Sequence, residues 1–355
     1  MTHISRILAI VFILIAIHAK GQDAQFSQFY AHPLYLNPAL TGSHSGTYRI
    51  MANYRDQWRG TIEQPFTTFS ASGDLKFNLP NKGGSYRKIN DIFAVGLVFT
   101  SDRVSDIDFN TNQISISGAY HKVLAAESRQ YLSLGLNLGI AQRGINYEDL
   151  TFGDQWNGAT DYSDPTQEIL PANSIAYNDL GIGLHYSISP DTDKSFYFGA
   201  SLLHFNRPNI SFYNNDPRYV DISSPFKLDS KFSLHAGASF PLNDAASVQP
   251  RAIYLKQGEA STFVVGTNLK YKFLDSNGVA VHLGGWIRGS DNLTTFQPTD
   301  IILSAGYELQ GMLIGFSYDI HLRQLSGTPF GQSMFELSIA YTGEHDNDNR
   351  ICPQF

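Results

Sequence analysis

The sequence predicts an all-β protein: a transmembrane, antiparallel, up-and-down β-barrel of about fourteen strands. Three observations predict it, namely an apolar export signal at the N-terminus, period-two alternation through most of the chain, and alternating long and short connections. The composition agrees, because charged residues are 16% of the 355 residues, against roughly 25% in soluble domains. Aromatic residues reach 13%.

The charge balance and the cysteine count exclude several classes of protein. Lys and Arg number 25 against 32 Asp and Glu, a net charge of −7, so a nucleic-acid binder built on a basic patch is not expected. The 42% hydrophobic content excludes a disordered chain. The single cysteine, Cys352, permits no internal disulfide and no Cys-based zinc site.

Residues 1–21 have the features of a signal peptide. Arg6 precedes the apolar run 7–17, which is shorter than the roughly 20 residues that a transmembrane helix needs. The Ala-Lys-Gly triplet ending at Gly21 supplies small residues for cleavage before Gln22. A short buried helix is the alternative. We expect an exported chain, which is either an outer-membrane barrel or a secreted β-protein.

Segment 22–46 precedes the first predicted strand and is dense in aromatic and apolar residues. A disordered periplasmic tail would not carry so many of them. We expect this segment to pack into the lumen or against the periplasmic rim, with an ordinary exposed leader as the alternative. The residues expected to make plug or partner contacts are Phe26, Phe29, Tyr30, Leu34, Tyr35, Leu36, Asn37 and Pro38.

Residues 47–341 carry the alternation that predicts the barrel. From Leu132 to Ala141, Leu or Ile alternates with Ser, Gly, Asn and Ala. A soluble sandwich also has one apolar face, but its other face usually carries Lys, Glu and Thr, whereas this second face suits a lumen. The predicted strands lie near 47–57, 66–77, 92–101, 110–124, 130–143, 178–188, 195–204, 231–240, 247–255, 261–273, 278–289, 300–309, 312–320 and 333–341.

The predicted connections alternate between long and short. The two longest, 144–177 and 205–230, fall on the same side, as in bacterial barrels with long outer loops and short periplasmic turns. Aromatic residues gather towards the strand ends, where amphipathic rings settle at the headgroup level. Because hydrocarbon offers backbone N–H and C=O groups no partner, such strands must close into a ring.

Few charges fall on the predicted inward faces. Glu308, Asp319 and Glu336 lie on the last three strands, and Arg288 lies on the eleventh. We expect these lumen charges to pair across the barrel and plug it. Isolated charges in a water-filled lumen are the alternative, since porin interiors are polar.

No catalytic motif is present. The sequence lacks Gly-x-Ser-x-Gly, His-Glu-x-x-His, a P-loop and a Gly-x-Gly-x-x-Gly after a strand. A stretch that opens like a calcium loop, 106–112, lacks the required Gly at Thr111 and the required Glu at Ser117. We therefore expect a non-enzymatic protein with no cofactor and no metal site.

Several stretches, spread over nearly all of 22–355, resemble the PorP/SprF family of outer-membrane proteins of the type IX secretion system. The N-terminal stretches are the most specific ones. They are Gln22 to Tyr30, Pro33 to Ala39, Thr41-Gly42 and Asn53 to Trp58. The weaker ones are Leu150 to Gln155, His204 with Pro208, Gly315 to Asp319, Glu336, and Cys352 to Phe355. His32 and Gln354 depart from the family pattern, which has Asn and a basic residue there.

The resemblance implies a fourteen-stranded barrel in the cell outer membrane that works by protein–protein contacts. It implies a role in the secretion or surface attachment of large adhesins, including those used in gliding. The implied partners are a periplasmic peptidoglycan-binding lipoprotein, the ring and motor components, the secreted adhesins and outer-membrane lipid. A diffusion channel or solute transporter with the same fold is the alternative, and a soluble secreted β-protein such as a lectin is a third.

Residues 342–355 form a predicted periplasmic tail, because the last alternating segment ends near Tyr341. Phe355 resembles the terminal aromatic residue read by the barrel-assembly machinery, yet its distance from that segment favours projection into the periplasm. The Cys-Pro-x-Phe ending recurs in the family. The resemblance therefore leaves two roles for Cys352, docking to a partner or a structural plug.

Overall fold

The computed structural model describes residues 23–59, 65–79, 90–104, 108–148, 150–191, 193–213, 226–274, 278–291, 296–322 and 333–344. Residues 1–22, which include the expected signal peptide, lie outside these ranges, and so do Cys352 and Phe355. No helix in the described ranges is both long enough and apolar enough to span a membrane.

The described residues form fourteen β-strands that close into a barrel. The strands are β1 (Tyr48–Gln57), β2 (Phe66–Asn78), β3 (Ile92–Val104), β4 (Phe109–Ala125), β5 (Gln130–Gly144), β6 (Ser174–Ile188), β7 (Ser195–Leu203), β8 (Lys231–Pro241), β9 (Ala246–Gln257), β10 (Ala260–Lys272), β11 (Val279–Asp291), β12 (Phe296–Leu309), β13 (Met312–His321) and β14 (Met334–Gly343). Each strand pairs antiparallel with its sequence neighbours, and β1 pairs with β14 from Tyr48↔Gly343 to Gln57↔Met334. The predicted fold, a closed antiparallel barrel, is confirmed.

The alternating pattern places the apolar side chains on the outer surface. Leu136 and Leu138 on β5 are 53% and 62% exposed, whereas Ser133 on the same strand and His185 on β6 are buried. The barrel is therefore the reverse of a soluble sheet protein: its apolar face meets lipid and its small and polar face lines the interior.

Two strands begin four residues earlier than the pattern predicts. β6 starts at Ser174 and β12 at Phe296, not near 178 and 300. The extra residues of β6 pair with β5, but their outward positions, Ser174 and Ala176, are not strongly apolar. The extra residues of β12 lie beyond a register shift at Arg288/Gly289. In both places the hydrogen bonding between strands extends beyond the residues that alternate between apolar and polar, so the pattern alone does not reveal the start of the strand.

The two ends of the barrel differ. β1 begins at what we call the short-turn end, where connections such as 126–129 and 310–311 lie. It ends at the long-loop end, which carries 145–173 and 204–230. By the rule for outer-membrane barrels, the long-loop end faces out of the cell.

Residues 23–46, hereafter the inner segment, run through the lumen before β1 begins. The segment contains 3₁₀ turns at Phe29–Ala31 and Pro38–Leu40 and one short α-helix, α1, at Pro33–Leu36. Another 3₁₀ turn, Gly153–Gln155, lies in the β5–β6 loop. Pro33 and Pro38 open their turns, where the missing N–H of proline removes no hydrogen bond. Asn37 caps the last turn, since its Oδ1 accepts from Ala39 N at 2.8 Å.

Candidate functional site

The candidate site is the contact between the inner segment and the barrel wall. Asp23 bonds His204 and Gln257 at the long-loop end, and Gly42 bonds Asp74 towards the short-turn end. The segment therefore runs along the barrel axis, and the chain must pass down the whole lumen before β1 turns back into the wall.

The middle of the inner segment lies directly on glycines of the wall. A Cβ atom on Gly135 would stand 2.2 Å from Ala39 N, and one on Gly183 would stand 1.8 Å from Asn37 Oδ1. The Asn37 side chain donates to the backbone carbonyls of Leu184, at 2.9 Å, and Ala200, at 3.2 Å. The Ala39 backbone and the Asn37 side chain thus lie directly on the backbone of the wall, where a residue larger than glycine would collide with them.

A buried ion pair holds the segment near the short-turn end. Arg49 Nη2 lies 2.8 Å from Asp74 Oδ2 and also donates to Leu40 O at 3.2 Å. Gly42 N donates to the same carboxylate oxygen at 2.7 Å. Gly42 has a φ of 77°, the left-handed conformation that glycine adopts at no steric cost, and this φ turns the chain towards the wall.

A second charged cluster binds the outward half of the segment. The Glu336 carboxylate accepts from Ser27 N at 2.6 Å and from Gln28 N at 2.8 Å. Ser27 Oγ donates to Asp319 Oδ2 at 2.6 Å, and Arg288 Nη1 lies 2.8 Å from that same atom. The two carboxylates therefore accept hydrogen bonds from the backbone and the hydroxyl group of the segment. Two guanidinium groups offset their charge, Arg288 beside Asp319 and Arg55 at 3.8 Å from Glu336.

The structure brings together three of the four predicted lumen charges. Arg288, Asp319 and Glu336 meet around Ser27, but Glu308 does not join them. Glu308 lies near the short-turn end, 2.6 Å from Lys270 Nζ and 2.8 Å from His282 Nε2.

Aromatic contacts fill the space between these clusters. Tyr30 stacks on Trp286 with ring centroids 5.4 Å apart, and Phe29 meets the same indole edge-on. Phe26 packs edge-on against Tyr35, whose ring also lies 4.4 Å from Lys231 Nζ. The other apolar residues highlighted by the sequence, Leu34, Leu36 and Pro38, are also buried.

At the long-loop end His204 bridges the segment to the wall. Its ring nitrogens lie 2.7 Å from Asp23 Oδ2 and 2.7 Å from Asp179 Oδ1. Burial alone would lower the pKa of His204, but the two carboxylates outweigh it and raise that pKa to about 9. Burial would likewise raise the pKa of Asp23, but His204 and Lys231 hold it well below its ordinary value. At neutral pH the bridge is thus a buried imidazolium between two carboxylates.

Little space remains between the segment and the wall around the bridge. A cavity of about 20 Å³ lies beside Asp23 and His204, and another of about 30 Å³ lies beside Phe26 and Lys231. Cavities of this size hold one or two water molecules. The described residues contain no group of three or more His, Cys, Asp or Glu side chains placed to hold a metal ion.

Sequence reasoning missed the residues of the His204 bridge. Asp23 is the only Asp, Glu, Lys or Arg residue in 22–46. A single charge in a segment that packs inside a barrel needs an oppositely charged partner, because an unpaired buried charge is strongly destabilising. The sequence therefore indicated that Asp23 needs a partner. It did not identify His204, because the two residues are brought together only when the barrel closes.

One solved structure matches this fold with a TM-score above 0.5, and others match less closely. A TodX deltaS2 mutant, a monoaromatic hydrocarbon channel, matches with a TM-score of 0.51 at 10% identity, covering 89% of this chain and 94% of that one. The toluene transporter TbuX of Ralstonia pickettii matches with a TM-score of 0.47 at 11% identity, covering 89% of this chain and 94% of that one. A FadL homologue of Pseudomonas aeruginosa matches with a TM-score of 0.43 at 11% identity, covering 83% of this chain and 89% of that one. At these identities the likeness concerns the fold alone. No curated protein sequence matches the chain.

The model of one family, "Type IX secretion system membrane protein PorP/SprF", matches residues 18–341. The chain belongs to the PorP/SprF family. This membership and the barrel fold place the protein in the outer membrane as a component of type IX secretion. In this PorP/SprF protein the most family-like N-terminal stretch, up to Thr41-Gly42, is the inner segment.

Proposed function

We propose that this protein is a non-enzymatic, protein-binding component of type IX secretion that supports the secretion or surface attachment of large adhesins, including those used in gliding. The supporting observation is the inner segment itself, which occupies the lumen from Asp23 to Gly42 with hydrogen bonds at both ends. A barrel filled by its own chain is suited to binding proteins at its ends, not to passing solutes through its centre.

The two faces of the barrel serve different partners in this proposal. The long-loop end receives secreted adhesins. The short-turn end and the tail 342–355, with Cys352 and Phe355, contact the periplasmic peptidoglycan-binding lipoprotein and the ring and motor proteins. A diffusion channel or solute transporter is the alternative, and it requires the inner segment to leave the lumen.

Deletion of the gene in the native host tests the proposal. Surface and culture-medium proteins are quantified by mass spectrometry in wild-type, deleted and complemented cells. We expect specific large surface proteins to remain inside the deleted cells or to be shed, and complementation to restore them. The same set and amounts of surface proteins in the deleted cells as in wild-type cells would contradict the proposal.

A chain truncated after Gly343 tests the periplasmic contacts. Affinity purification from native membranes should recover periplasmic partners with the full chain and lose them with the truncated one. Equal recovery would show that the tail is not the docking element.

A further inference from the structure

The barrel wall has a step at its long-loop end. β6 pairs with β5 along its whole length, from Ser174↔Gly144 to Ser187↔Tyr131. On its other side β6 pairs with β7 only from Gly181↔Leu203 onward. Residues 174–180 of β6 therefore extend about 20 Å along the strand beyond the end of β7, and one edge of this stretch has no neighbouring strand among the described residues.

Among the described residues, the chain covers only the base of this edge. Phe205 N donates to Leu180 O at 3.2 Å, and the Asn206 side chain accepts from Leu180 N and donates to Asn178 O at 2.7 Å. In an antiparallel strand, alternate residues direct both backbone groups to the same side. The backbone groups of Ala176 and Ser174 therefore face the same open edge, and no hydrogen bond within the described ranges reaches them there.

Most of this edge lies above the apolar outer side chains of the barrel, hereafter the apolar belt. The outward side chains of β6 are Leu180, Ile182 and Leu184 within the belt, Asn178 at its upper limit opposite Ile140, and Ala176 and Ser174 higher up. The last three are exposed. The residues 174–178 also include no Lys or Pro, which natural proteins place on edge strands to prevent pairing with other chains. Phe205 and Phe226, 44% and 65% exposed, lie in the loop at its foot.

The loop that leads into the edge carries a strong negative charge. The β5–β6 connection, 145–173, contains six Asp or Glu residues and no Lys or Arg. The β7–β8 connection, 204–230, is balanced, with three acidic and three basic residues. Two copies of this chain meeting edge to edge would bring two acidic loops together, and this repulsion disfavours self-pairing.

We propose that the β6 edge at 174–178 is the docking site of a secreted partner, which adds an extended, basic segment as a further strand. Backbone hydrogen bonds supply the pairing, as in other strand-addition complexes. The acidic loop 145–173 favours a partner segment of positive charge. The inference rests on the proposed function, since it names the place at which a surface adhesin is held.

Substitutions at Ala176 test the edge. Ala176→Pro removes the edge N–H without touching the β5 pairing, a change that edge strands tolerate, and Ala176→Ser is its control. Ala176→Lys and Ala176→Glu keep the backbone N–H and introduce long side chains of opposite charge. We expect the Pro and Lys variants to release barrel-dependent surface proteins into the medium by about tenfold more than wild type, through lost pairing and like-charge repulsion. The Ser and Glu variants should retain them.

The readout is the set of surface proteins whose retention depends on the barrel, defined by comparison of wild-type and deleted cells. Heat-modifiable migration of each variant on gels confirms that the barrel has assembled. If deletion itself changes no surface protein, the proposed function fails. If deletion releases proteins that the Pro and Lys variants retain, only the edge inference fails.

Charge selection has its own test. Glu148→Gln, Asp164→Asn and Glu168→Gln together neutralise half of the acidic loop, and release should rise as with Ala176→Lys. Equal release by Ala176→Lys and Ala176→Glu would overturn the basic character of the partner. A purified wild-type barrel that is dimeric, and becomes monomeric with Ala176→Pro, would identify a second copy as the occupant and overturn the proposal.

Discussion

At the scale of single residues, small side chains decide where the inner segment lies. Glycines in the wall let the segment approach to backbone contact, and Asn37 uses that approach to bond the carbonyl oxygens of Leu184 and Ala200. A carboxylate such as Glu336, which accepts two backbone N–H groups, holds the segment by stronger bonds than a neutral acceptor makes.

Gly135→Ala should weaken this contact. Its Cβ would stand 2.2 Å from Ala39 N, and overpacking of this kind costs roughly 1–3 kcal/mol. We expect the inner segment to become sensitive to protease in the assembled barrel. Gly285→Ala is the matched control, because no heavy atom lies within 4 Å of its Cβ position. Equal resistance of the two variants would show that the contact is not tight.

The His204 bridge should weaken in alkaline solution. A pKa raised from 6.5 to about 9 contributes stability that is fully present below pH 6.5 and is lost as the pH rises through about 9. A spin label at Ala24→Cys, in a Cys352→Ser background, should be immobile at pH 6 and mobile at pH 10. With His204→Gln added, the label should be mobile throughout. A label that stays immobile at pH 10 in the presence of His204 would contradict the bridge.

At the scale of elements, each strand has one face in lipid and one in a filled interior. Asn137 shows the difference between this barrel and an open porin. It points inward on β5 and is buried, so a larger side chain there has no watery lumen to enter. The outer face is apolar up to Ile140 and polar at Gln142, which marks the upper limit of the hydrocarbon.

Leu136→Arg should block membrane assembly. An Arg on the lipid face near the membrane centre costs roughly 2–4 kcal/mol, and Leu136 is 53% exposed on that face. Gln142→Arg is the control on the same face of the same strand, above the apolar belt. Heat-modifiable migration on gels should be lost for the first variant and kept for the second. If the two variants assemble to the same extent, the apolar outer face has been placed at the wrong height on β5.

At the scale of the whole molecule, the barrel and the inner segment form one unit. Eight strands leave an interior just wide enough for side chains, while sixteen leave an aqueous channel. A ring of fourteen strands therefore needs additional chain to fill it, and the inner segment supplies that chain along the axis.

Planar-bilayer recordings test the filled lumen. The purified wild-type barrel should give little steady current. A variant that lacks residues 23–36, and keeps the glycine contacts of Asn37 and Ala39, should conduct more by about an order of magnitude, because a ring of this size leaves a channel when empty. Large steady currents from the wild type would favour the diffusion-channel alternative.

The strands were predictable because their signal is local. Alternation with period two shows which face of β5 meets lipid without knowledge of any other strand. It also places Glu308 and Glu336 on inward faces, near the short-turn and long-loop ends of their strands, but it does not show which groups face them. Those neighbours follow from strand register, closure and the path of the inner segment, so the sequence could not show that Glu336 meets the inner segment while Glu308 pairs with Lys270.

By itself the sequence determined the strand number, the lipid-facing side chains and an apolar segment ahead of the first strand, because each depends on residues close together in the chain. Only the tertiary structure decided that Asp23 lies at the long-loop end and that Ser27 bonds Glu336. Asp23 and His204 are 181 residues apart and Ser27 and Glu336 are 309 residues apart, so these contacts exist only once distant strands have come together in the barrel.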